Sequence, residues 1–396
     1  MTDDLRPFCL EIPQAELDYL NTRLDHTRWP DQLPGVGWEY GVPRDYLREL
    51  VHYWRYTYQW RATEARLDAW PQYLTEIDGA TVHFAHLPSP EPEATPLLLM
   101  HGWPSSMIEF EEVAWRLTEP RSYGGDPATA CHLVIPHIPG YALSGPTAEP
   151  GWHQRRVADA YAELMRRLGY RRYAVAGGDW GSVIAQQLAH RQGPGEVLGM
   201  YLTMLHGAGI EQEPDEETLA VLSTEDQRRA MKSWTQHQQW TAAETGYSAL
   251  QATRPQTLAY ALTDSPVGLA AWIAEKWRAW SQEAIDWDLL LDNIMLYWLT
   301  GTAGSSARLY YELAHSGIPP VPASNRRVPA AVAAFPRENF LPVRAYAEQM
   351  LEVVQWTDHP RGGHFPALEQ PVRMVEDIQK FLPKIARRPH AVEADR

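Results

Sequence analysis

Ala174-Val-Ala-Gly-Gly-Asp-Trp-Gly-Ser-Val-Ile184 decides how this chain is read. An apolar run of β type, Tyr173 to Ala176, meets Gly177 and Gly178. Asp179, Trp180, Gly181 and Ser182 follow, and then an amphipathic helical run, Val183 to Ala189. The order is strand, sharp turn, helix. A turn that tight carries its apex residue near positive φ and presses backbone against backbone, where a Cβ would obstruct. Small residues stand two before and two after Asp179, as such a turn requires. The bland reading is a βα loop of a nucleotide-binding sheet with Asp179 as N-cap, a role Asp fills well. The other reading is chemical: a carboxylate needs no deprotonation to attack, and with a carbon electrophile it forms an ester.

Outward from this turn, strands and helices alternate. Thr81 to His86 alternates and is expected to be an edge strand, and Pro96 to Met100 is a continuous apolar run expected to be buried on both faces. A helix is expected over about 107–117, a strand over 133–136, a helix over about 153–168 and a strand over 197–203. The pattern breaks near Leu205 and resumes with Val328 to Phe335, Leu351 to Trp356 and a helix over about 371–381. Alternation of this kind indicates a mostly parallel sheet flanked by helices. Residues 206–316 read as helical and rich in Trp and Tyr (Trp234, Trp240, Trp272, Trp277, Trp280, Trp298). A helical insertion at the carboxyl ends of such strands lies over the ligand site and is a natural lid. Residues 1–75 read as a mainly helical extension: Leu17, Leu20 and Leu24, then Tyr46, Leu47, Leu50, Val51 and Trp54, fall at helical spacing. Trp29, Trp38, Trp54, Trp60 and Trp70 there are expected to serve packing. The layout expected is thus 1–75 extension, 76–205 first part of the core, 206–316 lid, 317–396 second part of the core.

The 396 residues are 44% hydrophobic and 11% aromatic, enough for one large core with insertions. The 32 Pro and 26 Gly mark many turns without a low-complexity tract. A formal net charge of −15, with no basic run longer than a pair, argues against nucleic acid as a partner. Cys9 and Cys131 make neither a disulfide framework nor a Cys-based metal site. Met1 to Pro7 is acidic and polar, unlike a signal peptide, and no apolar run approaches the roughly 18 residues that span a bilayer. The expectation is a soluble, cytoplasmic protein with no membrane anchor. Oligomeric state stays open, a homodimer included.

A strand, a tight turn presenting its apex side chain and a helix form the nucleophile elbow of the α/β-hydrolases, written G-x-S-x-G, with Asp in the place of Ser. Such a nucleophile needs donors for developing oxyanion charge, a base to activate water and an acid behind the base. The chain order in that fold is nucleophile, acid, His. His364, in Arg361-Gly-Gly-His-Phe365, lies on a glycine loop between the last strand and the last helix, and is the expected base. Glu338, in Phe335-Pro-Arg-Glu338, ends the strand before and is the expected acid. Asp358, six residues before His364, is its rival. The expected oxyanion donors are the backbone N–H groups of Trp180 and Trp103, with Trp103, Trp180 and Pro104 also placed to meet substrate.

His101-Gly-Trp-Pro104, Gly178-Asp-Trp-Gly181 and Gly362-Gly-His-Phe365 together resemble the epoxide hydrolases of the α/β-hydrolase fold, and the microsomal type most. Pro43-Arg-Asp-Tyr-Leu47 with Trp70 resembles that group's own N-terminal domain. Asp264-Ser-Pro-Val-Gly-Leu-Ala-Ala271 and Asn293-Ile-Met-Leu-Tyr-Trp298 resemble its lid. The likeness covers nearly the whole chain. It implies two lid tyrosines that bind and protonate the epoxide oxygen; by position these are Tyr247 and Tyr310, and Tyr311 beside the latter leaves open which one points inward. Membrane-bound members carry an apolar anchor that this sequence lacks.

The resemblance implies conversion of an epoxide to a vicinal diol through a covalent Asp179 ester, hydrolysed by water that His364 and Glu338 activate, with no metal or cofactor. The aromatic lid suggests a bulky apolar or aryl epoxide, in detoxification or in secondary metabolism. Two rivals share the scaffold: a haloalkane dehalogenase with the same Asp nucleophile, and a non-catalytic ligand-binding protein. An esterase fits poorly, because the elbow has no Ser.

Overall fold

The computed structural model describes residues 5–208 and 212–386. The apolar runs become strands of one sheet, ordered β1-β2-β3-β5-β4-β6-β7-β8-β9. These are β1 (Arg6–Phe8), β2 (Gln72–Ile77), β3 (Ala80–Leu87), β4 (Thr95–Met100), β5 (Cys131–Pro136), β6 (Tyr173–Gly177), β7 (Val197–Leu202), β8 (Asn325–Ala334) and β9 (Leu351–Asp358). From β5 to β9 every neighbouring pair is parallel, and β1, β2 and β3 pair antiparallel. Leu97, Leu98, Leu99 and Met100 are buried, as a strand covered on both faces requires. The chain adopts the α/β-hydrolase fold.

One expectation is corrected here. Thr81 to His86 is not an edge: β3 is bonded to β2 on one side and β5 on the other. Its polar residues mislead, because His83 is fully buried and is bonded to Gln72 and His137 rather than to solvent. The edge on that side is β1, three residues from the segment expected to be mainly helical. Its Pro7 cannot donate to a ladder and is tolerated where one side of the strand is open.

Helices α1 (Gln14–Asp25), α2 (Arg44–Tyr56) and α3 (Trp60–Asp68) follow β1; α4 (Glu111–Thr118), α5 (Gln154–Arg167) and α6 (Asp179–Gln192) alternate with the central strands. Between β7 and β8 come α7 (Glu216–Ala220), α8 (Thr224–Glu244), α9 (Gly246–Thr253), α10 (Pro255–Asp264), α11 (Pro266–Trp280), α12 (Trp287–Thr300), α13 (Ala303–Ser306) and α14 (Arg308–His315). The chain closes with α15 (Arg344–Met350), α16 (Pro366–Glu369) and α17 (Pro371–Ala386). Ser265 caps α11 through Gly268 N–H, with Pro266 in the first turn, and Gly301 ends α12 in a left-handed conformation.

The N-terminal helices pack chiefly against α11 and α12. Their joint is the fully buried carboxylate of Asp292 on α12. It accepts from Tyr58 at 2.6 Å and Thr63 at 2.5 Å through Oδ1, and from Arg66 at 2.5 Å through Oδ2. A buried charge costs several kcal/mol unless it is paired and bonded in this way. Among the described residues no helix is long and apolar enough to cross a membrane.

Candidate active site

Asp179 sits where β6 ends and α6 begins, with φ of +47°. The flanking glycines are required by close approach. A Cβ on Gly177 would lie 2.6 Å from the Gly181 carbonyl carbon, and one on Gly102 would overlap the Asp179 side chain itself.

The two oxygens of Asp179 have different surroundings. Oδ1 accepts from the Trp103 N–H at 2.8 Å, while Oδ2 faces His364 Nε2 at 3.5 Å. Burial raises the Asp179 pKa, but His364 and the N–H groups of Trp103 and Trp180 outweigh it and hold the carboxyl below the usual range.

His364 stands on the loop between β9 and α16. Its Nδ1 donates to Glu338 Oε1 at 2.6 Å, and the Asn339 N–H donates to the same oxygen at 2.7 Å. The two loops are stitched together by Arg337 N–H to the Gly362 carbonyl, 3.2 Å. The lid pins them too: the His364 N–H donates to the Trp280 carbonyl at the end of α11, 2.9 Å, and the Trp280 ring lies edge-on to the imidazole at 5.0 Å. Burial opposes the imidazolium, yet Glu338 and Asp179 on its two sides prevail and push His364 up to about 10. Asp358 is turned elsewhere, to Arg229 at 2.6 Å and to its own strand's Trp356 indole at 2.9 Å.

Tyr247 opens α9 and Tyr310 lies on α14, and the fold brings them together above the elbow. The Tyr247 ring stacks on Trp103 with centroids 5.0 Å apart and planes 5° apart, and the Tyr310 ring stands edge-on to Trp180 at 4.8 Å and to Tyr247 at 5.8 Å. Burial raises both phenol pKa values, and nearby Asp179 adds to this, so both hold their protons. Tyr311 instead faces outward, 37% exposed and stacked on His315 at 3.9 Å.

Two cavities meet at Asp179. The one behind, about 20 Å³, is lined by Trp103, Ser105, Glu109, Thr203 and His364 among others. The one in front, about 150 Å³, is lined by Trp180, Val183, Met204, Trp240, Tyr247, Tyr310, Leu313 and Phe340. Beyond Trp240 and Asn339 a cleft of about 690 Å³ opens along α8. Pro104 lines neither cavity at Asp179. Its carbonyl accepts from Trp277 Nε1 at 3.1 Å and Asn293 Nδ2 at 2.7 Å, which fixes the Trp103 loop to α11 and α12. Among the described residues no group of three or more His, Cys, Asp or Glu side chains is placed to hold a metal ion.

Sequence reasoning passed over two ionisable residues of this site. Glu109 sits alone among Met107, Ile108 and Phe110, an acid in an apolar turn, which is itself a readable signal. Lys276 is 6% exposed on α11; its Nζ stands 5.1 Å from the Tyr247 ring centroid and 5.7 Å from that of Trp280, and it bonds Glu244 at 2.9 Å. Its spacing of four before Trp280 in an apolar helix is the corresponding signal.

Residues 5–110 match the family described as "Epoxide hydrolase N terminus", and residues 95–298 match "alpha/beta hydrolase fold". The chain is 41% identical over 383 residues to a "Putative epoxide hydrolase" of Stigmatella aurantiaca, covering 95% of this chain and 84% of that protein. It is 32% identical to "Epoxide hydrolase 1" of Oryctolagus cuniculus, over 97% and 90% of the two chains. The crystal structure of juvenile hormone epoxide hydrolase from the silkworm Bombyx mori superposes with a TM-score of 0.86 at 29% identity, over 97% of this chain and 95% of that one.

Proposed function

The chain belongs to the epoxide hydrolases of the α/β-hydrolase fold, and from that premise we propose that Asp179 opens the epoxide and His364 with Glu338 releases the product. The observation that supports these assignments most is the division of labour between the two Asp179 oxygens.

Oδ2 is the attacking oxygen. It takes one epoxide carbon while Tyr247 and Tyr310 bond the ring oxygen, and a phenol proton passes to that oxygen as the C–O bond breaks. An expelled alkoxide is a poor leaving group without such a donor. Oδ1 becomes the ester carbonyl oxygen, already on the Trp103 amide and beside that of Trp180. In the second step His364 Nε2 takes a proton from water, the water oxygen adds to the ester carbon, and the charge gathers on Oδ1 before those amides. Collapse breaks the bond from the ester carbon to Oδ2, which leaves with the diol after protonation by His364. The proton that Asp179 finally sheds returns to His364.

The electrostatics order the two steps. In the resting site two carboxylates hold His364 protonated. Ester formation removes the Asp179 charge, one of the two causes; the imidazolium then gives its proton to the phenolate that ring opening left, which restores the phenol and makes the imidazole a base when the ester exists.

The first turnover in heavy-oxygen water tests this scheme. The diol should carry the old Oδ2 and no solvent label, and solvent label in the first diol would end the proposal. The front cavity, about 150 Å³ with apolar walls, has the volume in which a benzene-sized ring fits. This supports an aryl or bulky apolar epoxide as substrate, to be ranked by kcat/KM over a panel from small terminal to large aryl epoxides. One observation favours the dehalogenase: the Trp180 indole N–H is buried with no well-aligned hydrogen bond, its nearest acceptor being the Tyr310 hydroxyl, and could meet a halide. Halide release from a chloroalkane, without diol from styrene oxide, would establish it.

A further inference from the structure

Behind Asp179 the small cavity is lined by both His364 and Glu109. Its volume, about 20 Å³, is that occupied by one water molecule. We propose that Glu109 is the second holder of the hydrolytic water: His364 Nε2 accepts one of its hydrogens and Glu109 accepts the other, so that the lone pair faces the Asp179 ester carbon. This rests on the reading of Asp179 and His364 given above.

Three features carry the assignment. Glu109 lies on a single 3₁₀ turn, Met107–Phe110, whose other members are buried, so its carboxyl has a fixed origin. The Ser105 hydroxyl and Oε2 share a hydrogen bond of 2.6 Å that sets the plane of the carboxyl, and among the described residues no hydrogen bond reaches Oε1. One acid already lines the cavity, Asp179, and Glu338 stands behind it on the far side of the His364 ring. A third negative charge there would oppose both Asp179 and the oxyanion. Burial pushes Glu109 up to about 8, with Ser105 and His364 pulling the other way, so at neutral pH its proton stays on Oε2, in the bond shared with the Ser105 oxygen, and Oε1 accepts as a carbonyl oxygen without that charge.

The step balances with Glu109 exchanging no proton. One hydrogen of the water goes to His364 and on to the departing diol oxygen. The other stays on the water oxygen, bonded to Glu109, as that oxygen becomes part of the Asp179 carboxyl, and leaves when the carboxylate reforms. Glu109 thus acts on ester release and not on ester formation, a separation that a merely structural role would not produce.

The test is rapid-quench intact-protein mass spectrometry with styrene oxide on Glu109→Leu, Glu109→Gln and His364→Gln. Glu109→Leu should form the ester within about threefold of the wild-type rate and release it at least about tenfold more slowly, the loss of one hydrogen bond to the reacting water. Glu109→Gln, whose amide carbonyl still accepts, should restore release to within about threefold. Should Leu unsettle the turn, Glu109→Met carries the same expectation. Release at the wild-type rate from the Leu or Met protein overturns the proposal alone. No ester on His364→Gln overturns the reading of Asp179 and His364, and this proposal with it.

Discussion

Asp292 and Glu338 are both carboxylates with no side-chain exposure, and they differ in how fully they are bonded. Asp292 receives donors on both oxygens from three side chains, two on α3 and Tyr58 in the link before it, and it joins the N-terminal helices to the lid. Glu338 receives the imidazole and one amide on Oε1, while its Oε2 is buried without a hydrogen-bond partner. The first acid is saturated by groups that keep their protons, and it holds two regions together. The second is under-supplied and its main partner is a group that gains and loses a proton. Saturation separates a structural acid from a chemical one here, although burial and charge are alike.

The largest expected effect lies on the chemical side. His364→Gln should slow ester release by about 10⁴-fold, the upper range for a general base, and leave an ester visible as added mass on the intact protein. Ester formation itself should survive, since Oδ2 attack needs no base. On the structural side, Asp292→Ala should cost about 2–4 kcal/mol of unfolding free energy by urea titration, because Tyr58 and Thr63 lose their acceptor while buried. Arg66 is 41% exposed and also bonded to Glu111, so its share is screened and small. The folded fraction should keep kcat within about twofold. Stability unchanged with kcat lost would reverse the comparison.

Glu338→Gln comes next, with release slowed about 100-fold and unfolding free energy within about 1 kcal/mol of wild type. A smaller effect tests the other carboxylate that faces the imidazole. His364 is raised in the folded protein, so its contribution to stability is complete below the unfolded imidazole pKa and is lost as pH rises through about 10. Asp179→Ala removes one cause of that raise. The His364 ring should then titrate at least about one unit lower by NMR, worth about 1.4 kcal/mol, and stability should fall less steeply between neutral pH and pH 10.

The chemistry was legible in the sequence wherever it constrains the backbone. Asp179 and His364 carry glycine flanks because a tight turn and a loop against other backbone demand them, and strand order places Glu338 between the two. Side chains that act across the fold leave no such mark. Asp292 meets Tyr58, Thr63 and Arg66 from more than 220 residues away, and no local pattern announces it. The choice between Tyr310 and Tyr311 likewise depends on how α14 is rotated. The edge misassigned at Thr81 to His86 has a related cause. Alternation reports which faces are apolar, and says nothing about whether a strand has neighbours on both sides.

The smallest effect concerns Lys276. The Tyr247 ring has Trp103 stacked on it and the Lys276 ammonium within 5.1 Å of its centroid. A cation near a phenol ring draws on its π density and favours the negative charge that grows on the oxygen as the proton leaves. Lys276→Met keeps the length and loses the charge, so ester formation should slow about three- to tenfold, the roughly 1 kcal/mol of such a contact. Ester release, which on the proposed scheme uses His364 and not Tyr247, should stay at the wild-type rate, and Lys276→Arg should recover most of the loss. Equal slowing of both steps would mean that Lys276 only holds α8 to α11 through Glu244, and would move it to the side of Asp292 in the comparison.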